Sequence, residues 1–319
     1  MEILNVKDLK TYFKIGGKEL KAVDGVSFSL NQGEALGLVG ESGCGKTTTA
    51  LSIMKLLPQN GRIAQGEIIF CGEDLVKKSD IEIRKIRWKD ISIIFQGAMN
   101  ALNPVITVGE QIKEAILLHE QIDEDEARRR VKDLFEMVEI DNRRVRQYPH
   151  EFSGGMRQRV MIAMALACRP KIVIGDEPTT ALDVMVQSQI FDLISKLRDE
   201  LNMSMILITH DLSVLADTCD KAAVMYGGKI LEWGRVEELY ESPMNPYTRL
   251  LLSSFPDITK EKKMPSSIQG TPPNLINPPK GCRFHPRCPY ALEICGKKEP
   301  RIVFQSETHG YACHRGGRY

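Results

Sequence analysis

The sequence predicts an α/β protein with a mainly parallel sheet, a helix-rich insertion and a small cysteine-rich extension. Three observations predict it. Short apolar runs alternate with helical patterns through roughly the first 235 residues. A helical stretch runs from about 98 to 169, between the strand runs ISIIF and KIVIGD. Four of the 8 cysteines, Cys282, Cys288, Cys295 and Cys313, crowd into the end of the chain, whereas Cys44, Cys71, Cys168 and Cys219 are scattered singly.

ALGLVG (35–40) is an apolar strand ending in glycine, and a helix is expected from Gly45 to Leu57, stopped by Pro58. EIIF (67–70), ISIIF (91–95), KIVIGD (171–176) and MSMILITH (203–210) read as strands. Buried strands separated by helices imply a parallel sheet covered on both faces. AAVMY-GG-KILEW (222–233) is a hairpin, because Gly227 and Gly228 can take the positive φ of a tight turn. In the insertion, Asp123 and Glu126 have capping-box spacing. The apolar face that follows is Ala127, Val131, Leu134, Phe135 and Val138. From about 255 the composition changes, and PPNLINPPKG (272–281) reads as an irregular strap. The expected division is a main domain over 1–254, with the helical subdomain at about 98–169, and an extension over 255–319. The extension is too short to bury much surface alone and needs a staple.

Composition narrows the class. With 43 basic and 42 acidic residues the net charge is +1, so no whole-chain field favours nucleic acid. The longest apolar stretch, Val160 to Cys168, falls far short of the roughly 20 residues that cross a bilayer. The opening MEILNVKDLK lacks the basic and apolar regions of a secretory leader. A cytosolic chain keeps its thiols reduced, so the cysteines are expected free, catalytic or metal-bound rather than paired.

GESGCGKT (40–47) has the spacing of a phosphate-binding loop, between an apolar strand and a helix. Gly40, Ser42, Gly43, Cys44 and Gly45 would turn backbone N–H groups inward on a phosphate chain. Lys46 would reach the terminal phosphates, Thr47 would hold Mg²⁺ through its hydroxyl, and Thr48 continues the phosphate contact at the helix N-terminus. In KIVIGDE (171–177), Asp176 ends a buried strand, where a carboxylate is costly without a cation. Mg²⁺ through water is the obvious one. Glu177 beside it can polarise an attacking water.

FSGGMRQR (152–159) resembles the signature LSGGQ of the ABC ATPase family. Ser153, Gly154 and Gly155 match, whereas Met156 stands where glutamine is commoner. Further positions follow the family order: Gln96 resembles the Q-loop glutamine, Ala181-Leu182-Asp183 the D-loop, and His210 the switch histidine. The resemblance covers roughly residues 3 to 250. It implies a RecA-like P-loop core and ATP clasped between two ATPase subunits, one giving the phosphate loop and the other the Ser-Gly-Gly helix. It also implies that Gln96 senses Mg²⁺, that His210 contacts the γ-phosphate and that an aromatic of LKTYF (9–13), Phe13 or Tyr12, stacks on adenine.

The thiols of the tail suit a [4Fe–4S] cluster or tetrahedral zinc, with His285 or His314 as possible zinc ligands, and neither usual spacing is present. A purely structural, metal-free tail is the third reading. Together with NPYTRLLLSSFP (245–256) and QGTPPNLINPP (269–279), the tail resembles the C-terminal extension of oligopeptide and dipeptide importer ATPases. That resemblance implies a [4Fe–4S] cluster on Cys282, Cys288, Cys295 and Cys313. It further implies an ATPase that energises peptide uptake from the cytoplasmic face of the cell membrane. The partners would be a sister or identical ATPase subunit, two integral membrane permease subunits and, through them, an extracytoplasmic peptide-binding protein, with no nucleic acid. Nickel import, a soluble ABC ATPase acting on nucleic acid or ribosomes, and an accessory ATPase of cluster assembly are the rival readings.

Overall fold

The computed structural model describes residues 1–97, 101–180, 182–254 and 268–318. Its elements run β1 (Glu2–Ile15), β2 (Lys18–Asn31), β3 (Ala35–Val39), α1 (Lys46–Ile53), β4 (Gly61–Phe70), β5 (Glu73–Asp74), α2 (Asp80–Ile86) and β6 (Ile91–Ile94). Next come α3 (Val108–His119), α4 (Glu124–Met137), α5 (Gly154–Ala165), β7 (Ile172–Asp176), α6 (Val184–Leu201) and β8 (Ser204–Thr209). The chain ends with α7 (Leu212–Thr218), β9 (Lys221–Tyr226), β10 (Lys229–Arg235), α8 (Val236–Glu241), α9 (Pro246–Ser253), β11 (Val303–Phe304) and β12 (Gly310–Tyr311). Contacts divide it into two units. The first is built from Met1–Asn31, Ala35–Lys77 and the described part of Ile208–Tyr319; the second from Gln32–Glu34 and Lys78–Leu207.

In the first unit, β3 and β9 pair in parallel, and β9, β10, β12 and β11 continue antiparallel. β3 is buried along its whole length, as its unbroken apolar run requires. The β9–β10 hairpin turns on Gly227 (φ 56°) and Gly228 (φ 82°), as the Gly-Gly pair predicts. A separate antiparallel sheet, in the order β2-β1-β4-β5, corrects the expectation of alternating strands and helices from the first residue. The long β1–β2 ribbon escapes a period-2 search because bulges break its register. Leu4 and Val6 are buried, and then the burial skips one place to Leu9 and Thr11. The slip sits at Asp8, which takes φ 44°; opposite it, a Cβ on Gly66 would lie 2.6 Å from the Asp8 carbonyl oxygen. The Thr11 and Ser52 hydroxyls, 2.8 Å apart, tie this sheet to α1. α1 ends at Ile53, before the predicted Leu57, because Lys55 already adopts φ 47° ahead of Pro58.

In the second unit, strands β8, β7 and β6 lie side by side, with β6 and β7 parallel. Helices supply most of the rest. Asp123 caps α4 by accepting from the Glu126 N–H at 2.8 Å, which is one half of the expected box. Ala127, Val131, Leu134, Phe135 and Val138 are all buried, as the helical spacing predicts. Trp88 Nε1 donates to the Met164 carbonyl at 2.7 Å, fixing the segment before β6 on α5.

Candidate nucleotide and cysteine sites

The loop after β3 owes its shape to glycine. Gly40 has φ 151° and a Cβ there would lie 2.1 Å from the Met225 carbonyl oxygen; Gly45 has φ 110° and would meet the Ala22 carbonyl at 2.4 Å. No other residue fits at either place. Gly43, at φ 76°, has nothing within 4 Å of where a Cβ would stand, so the loop is open on that side. The Gly228 N–H donates to the Cys44 carbonyl at 2.8 Å, and this anchors the loop on the β9–β10 turn. Lys46 is 5% exposed, and its Nζ donates to the carbonyls of Gly40 at 2.6 Å and Glu41 at 3.2 Å. Its ammonium is thereby held at the centre of the loop. Burial pushes the Cys44 thiol up, so that side chain stays neutral and structural. Ser42 and Thr47 are exposed and Thr48 is half-buried. His210 directly follows β8 and is exposed.

Tyr12 and Phe13 leave β1 on opposite faces. Beside β4 their register is regular, with Thr11, Tyr12 and Phe13 opposite Ile63, Arg62 and Gly61. Phe13 therefore shares the face of Thr11, which touches α1, and its ring covers Gly61, where a Cβ would approach to 2.7 Å. Tyr12 points the other way and donates its hydroxyl to Asp24 at 2.6 Å. Burial opposes ionisation of Asp24, yet the Tyr12 hydroxyl and Arg283, aided by Lys229 and Lys21, hold its carboxyl below the usual carboxylate range.

In the second unit, Asp176 ends β7 and is 2% exposed. Glu177 follows with φ 46°, a conformation uncommon for a residue with a Cβ and found at sites where direction matters. Gln96 Nε2 donates to Glu177 Oε2 at 2.8 Å, so the glutamine predicted to sense Mg²⁺ is joined to the residue predicted to polarise water. The Thr180 hydroxyl also donates, to the Glu177 carbonyl at 3.1 Å and to Oε2 at 3.3 Å. Motif reading passed over Thr180, although a hydroxyl three residues beyond a candidate base is a findable signal. Ser153 caps α5 by accepting from the Met156 N–H at 3.4 Å, and Gly154 and Gly155 begin the helix. At Gly155 a Cβ would stand 2.7 Å from Val186 of α6, so the glycine permits close helix contact. Met156 Sδ accepts from Arg144 at 2.8 Å. Asp183 caps α6 by accepting from the Val186 N–H at 3.0 Å; Ala181 lies outside the described residues.

The tail belongs to the first unit. Phe284 is 1% exposed and packs on Tyr226 and Tyr247, with ring centroids 5.1 and 5.2 Å away. Its strap joins β2 through Lys21 N–H to the Leu275 carbonyl at 3.0 Å. Cys282, Cys288, Cys295 and Cys313 line one small cavity, with His285 and His314 at its wall. All four are free thiols. Burial first, and then the neighbouring Cys295, Cys288 and Cys313, push the Cys282 thiol up to about 11. Among the described residues, no three His, Cys, Asp or Glu side chains are grouped so as to hold a metal ion. Also among the described residues, no helix is long and apolar enough to cross a membrane.

A glycine-shaped loop at a helix N-terminus, with a lysine folded into it, defines a nucleotide-binding P-loop protein. Residues 23–180 match the ABC transporter family, and residues 231–295 match the oligopeptide/dipeptide transporter C-terminal region. The chain is 49% identical to the oligopeptide transport ATP-binding protein OppD of Bacillus subtilis (strain 168), over 96% of this chain and 87% of that protein. It is 46% identical to the dipeptide transport ATP-binding protein DppD of the same organism, over 98% of this chain and 94% of that one. Among solved structures it is similar to a dimeric post-hydrolysis state of an ATP-binding cassette bound to ADP and Pi. The TM-score is 0.66 at 28% identity, over 73% of this chain and 99% of that chain. The chain belongs to the ABC transporter ATP-binding family, in the branch that carries the oligopeptide/dipeptide C-terminal region. It is an ABC-type ATPase, for which ATP and Mg²⁺ are the expected ligands.

Proposed function

We propose that this ATPase powers import of dipeptides or oligopeptides, working at the cytoplasmic face of the membrane beneath two permease subunits that receive cargo from an extracytoplasmic binding protein. The supporting observation is the loop at 40–47: two glycines that admit no Cβ hold a buried lysine among backbone groups at a helix N-terminus. The peptide-importer C-terminal region narrows the cargo. In the first unit Lys46 would neutralise charge on the transferring phosphoryl group and Thr47 would offer its hydroxyl to Mg²⁺; in the second, Asp176 and Gln96 would offer oxygen atoms to Mg²⁺ and Glu177 would orient the attacking water. His210 contacts the γ-phosphate, Ser153, Gly154 and Gly155 serve the partner subunit's nucleotide, and Asp183, which caps α6, is the D-loop contribution to nucleotide binding. Phe13 is the adenine-stacking residue, since it lies on the α1 face of β1 while the Tyr12 hydroxyl is engaged by Asp24. Glu177→Gln should retain ATP, hydrolyse it slowly and accumulate dimers, read by phosphate release and light scattering. Wild-type turnover would remove Glu177 from its role.

We further propose a [4Fe–4S] cluster on Cys282, Cys288, Cys295 and Cys313. Four free thiols around one cavity fit the donor set of such a cluster. When bound, the cluster supplies a covalent cross-link for a tail too small to fold alone. Protein purified without oxygen should contain about four irons per chain and lose them in Cys282→Ser. One zinc and no iron would reverse the choice.

A further inference from the structure

We propose that Arg287 is a positioning residue for nucleotide: the tail neutralises and clamps Glu41, an acidic residue inside the phosphate-binding loop. The inference rests on reading 40–47 as that loop. Glu41 follows Gly40 directly, so its carboxylate belongs to a segment that must receive a highly negative phosphate chain. Left unpaired, it would repel that chain.

The structure answers this with a bidentate clamp. Arg287 Nη1 donates to Glu41 Oε2 at 2.6 Å, and Nη2 donates to Glu41 Oε1 at 3.0 Å. The remaining donors are also committed: Nε to the Gln269 carbonyl at 2.8 Å, Nη2 to the Ile268 carbonyl at 3.1 Å and Nη1 to the Tyr226 hydroxyl at 3.2 Å. The side chain of Arg287 is only 6% exposed, and its guanidinium lies 5.7 Å from the centre of the Tyr226 ring. A forked, fully bonded guanidinium fixes direction as well as charge, which an ammonium cannot do. Glu41 is held on its other sides too. Its N–H donates to the Tyr247 hydroxyl at 2.9 Å and its carbonyl accepts from Lys46. A second tail arginine repeats the device nearby: Arg283 donates to Asp24 and to the Gly227 carbonyl, in the turn whose Gly228 N–H holds Cys44. Arg287 immediately precedes Cys288, so whatever folds the cysteine cavity also sets the clamp.

Nucleotide affinity of the full chain, measured with a fluorescent ATP analogue below the melting transition, tests this. Arg287→Ala should weaken binding about tenfold, or 1.4 kcal/mol. Arg287→Ala with Glu41→Gln should recover most of that loss, because the unpaired charge is gone. A merely structural role predicts no recovery. Should Arg287→Ala not fold, Glu41→Gln alone decides the matter: it should bind ATP more tightly than wild type. Unchanged affinity in Arg287→Ala, absent recovery in the double variant, or unchanged or weaker binding in Glu41→Gln would overturn the proposal. Lys46→Ala is the separate control: if it keeps full ATP affinity, the phosphate-loop reading itself fails.

Discussion

Replacing Glu232 with alanine should loosen the tail from the first unit. Glu232 is fully buried and accepts three hydrogen bonds: from Met244 N–H at 2.6 Å, from Asn245 N–H at 2.9 Å and from His309 Nε2 at 2.7 Å. His309 precedes β12, which pairs with β10, while Met244 and Asn245 lead into α9. One carboxylate therefore joins three stretches of chain. Its removal orphans three buried donors at about 1–3 kcal/mol each. Relief from burying a charge and water entering the void offset part of this, leaving about 4 kcal/mol. With an unfolding entropy of about 2.1 cal/mol/K per residue, melting of the whole chain should fall by about 6 °C, or by about 10 °C if the first unit melts alone. Scanning calorimetry reads the shift, and limited proteolysis shows whether the tail is cut first. Glu232→Gln keeps one acceptor oxygen and should lose about half as much. A shift below about 1 °C for Glu232→Ala, or equal shifts for the two variants, would refute the claim that the carboxylate docks the tail.

Gly45→Ala should weaken ATP binding by more than about tenfold (1.4 kcal/mol), because its Cβ meets a backbone carbonyl at 2.4 Å. Gly72→Ala, at φ 85° but with open space around it, is the matched control and should leave equilibrium ATP binding unchanged. Phe13→Ala should cost about 1–3 kcal/mol of ATP affinity through lost stacking, whereas Tyr12→Phe should spare affinity and lower the melting temperature; the opposite pattern would exchange their roles. The depressed Asp24 carboxyl contributes stability that is present above its ordinary value of 3.8 and is lost as pH falls through its lower folded value. Asp24→Asn should therefore melt lower than wild type near neutral pH, with the gap closing below about pH 4; a constant gap would count against the linkage.

Local patterns made much of this legible. ALGLVG, KIVIGD and the Gly-Gly hairpin are short, unbroken signals, and each became the expected element. The phosphate loop was equally plain, since its glycines answer to steric limits within a few residues. The β1–β4 sheet was hidden because the bulge at Asp8 shifts the buried face by one residue and cancels the alternation. The Glu41–Arg287 clamp was hidden for a different reason: its partners are 246 residues apart, and nothing in either neighbourhood marks them as a pair. Likewise the Gln96–Glu177 bond joins motifs that were each visible alone. Spacing identifies the parts, while contacts across the chain decide which parts bear on each other.

The two-glycine turn between β9 and β10 serves three masters. Its second N–H secures the carbonyl of Cys44, its first carbonyl receives Arg283, and Pro273 of the strap sits where a Cβ on Gly227 would come within 3.2 Å. Such a hairpin has no spare slack. Adding a residue there, or grafting a tag into it, would pull the loop, the arginine and the strap out of step together, even though hairpin tips elsewhere tolerate insertions readily.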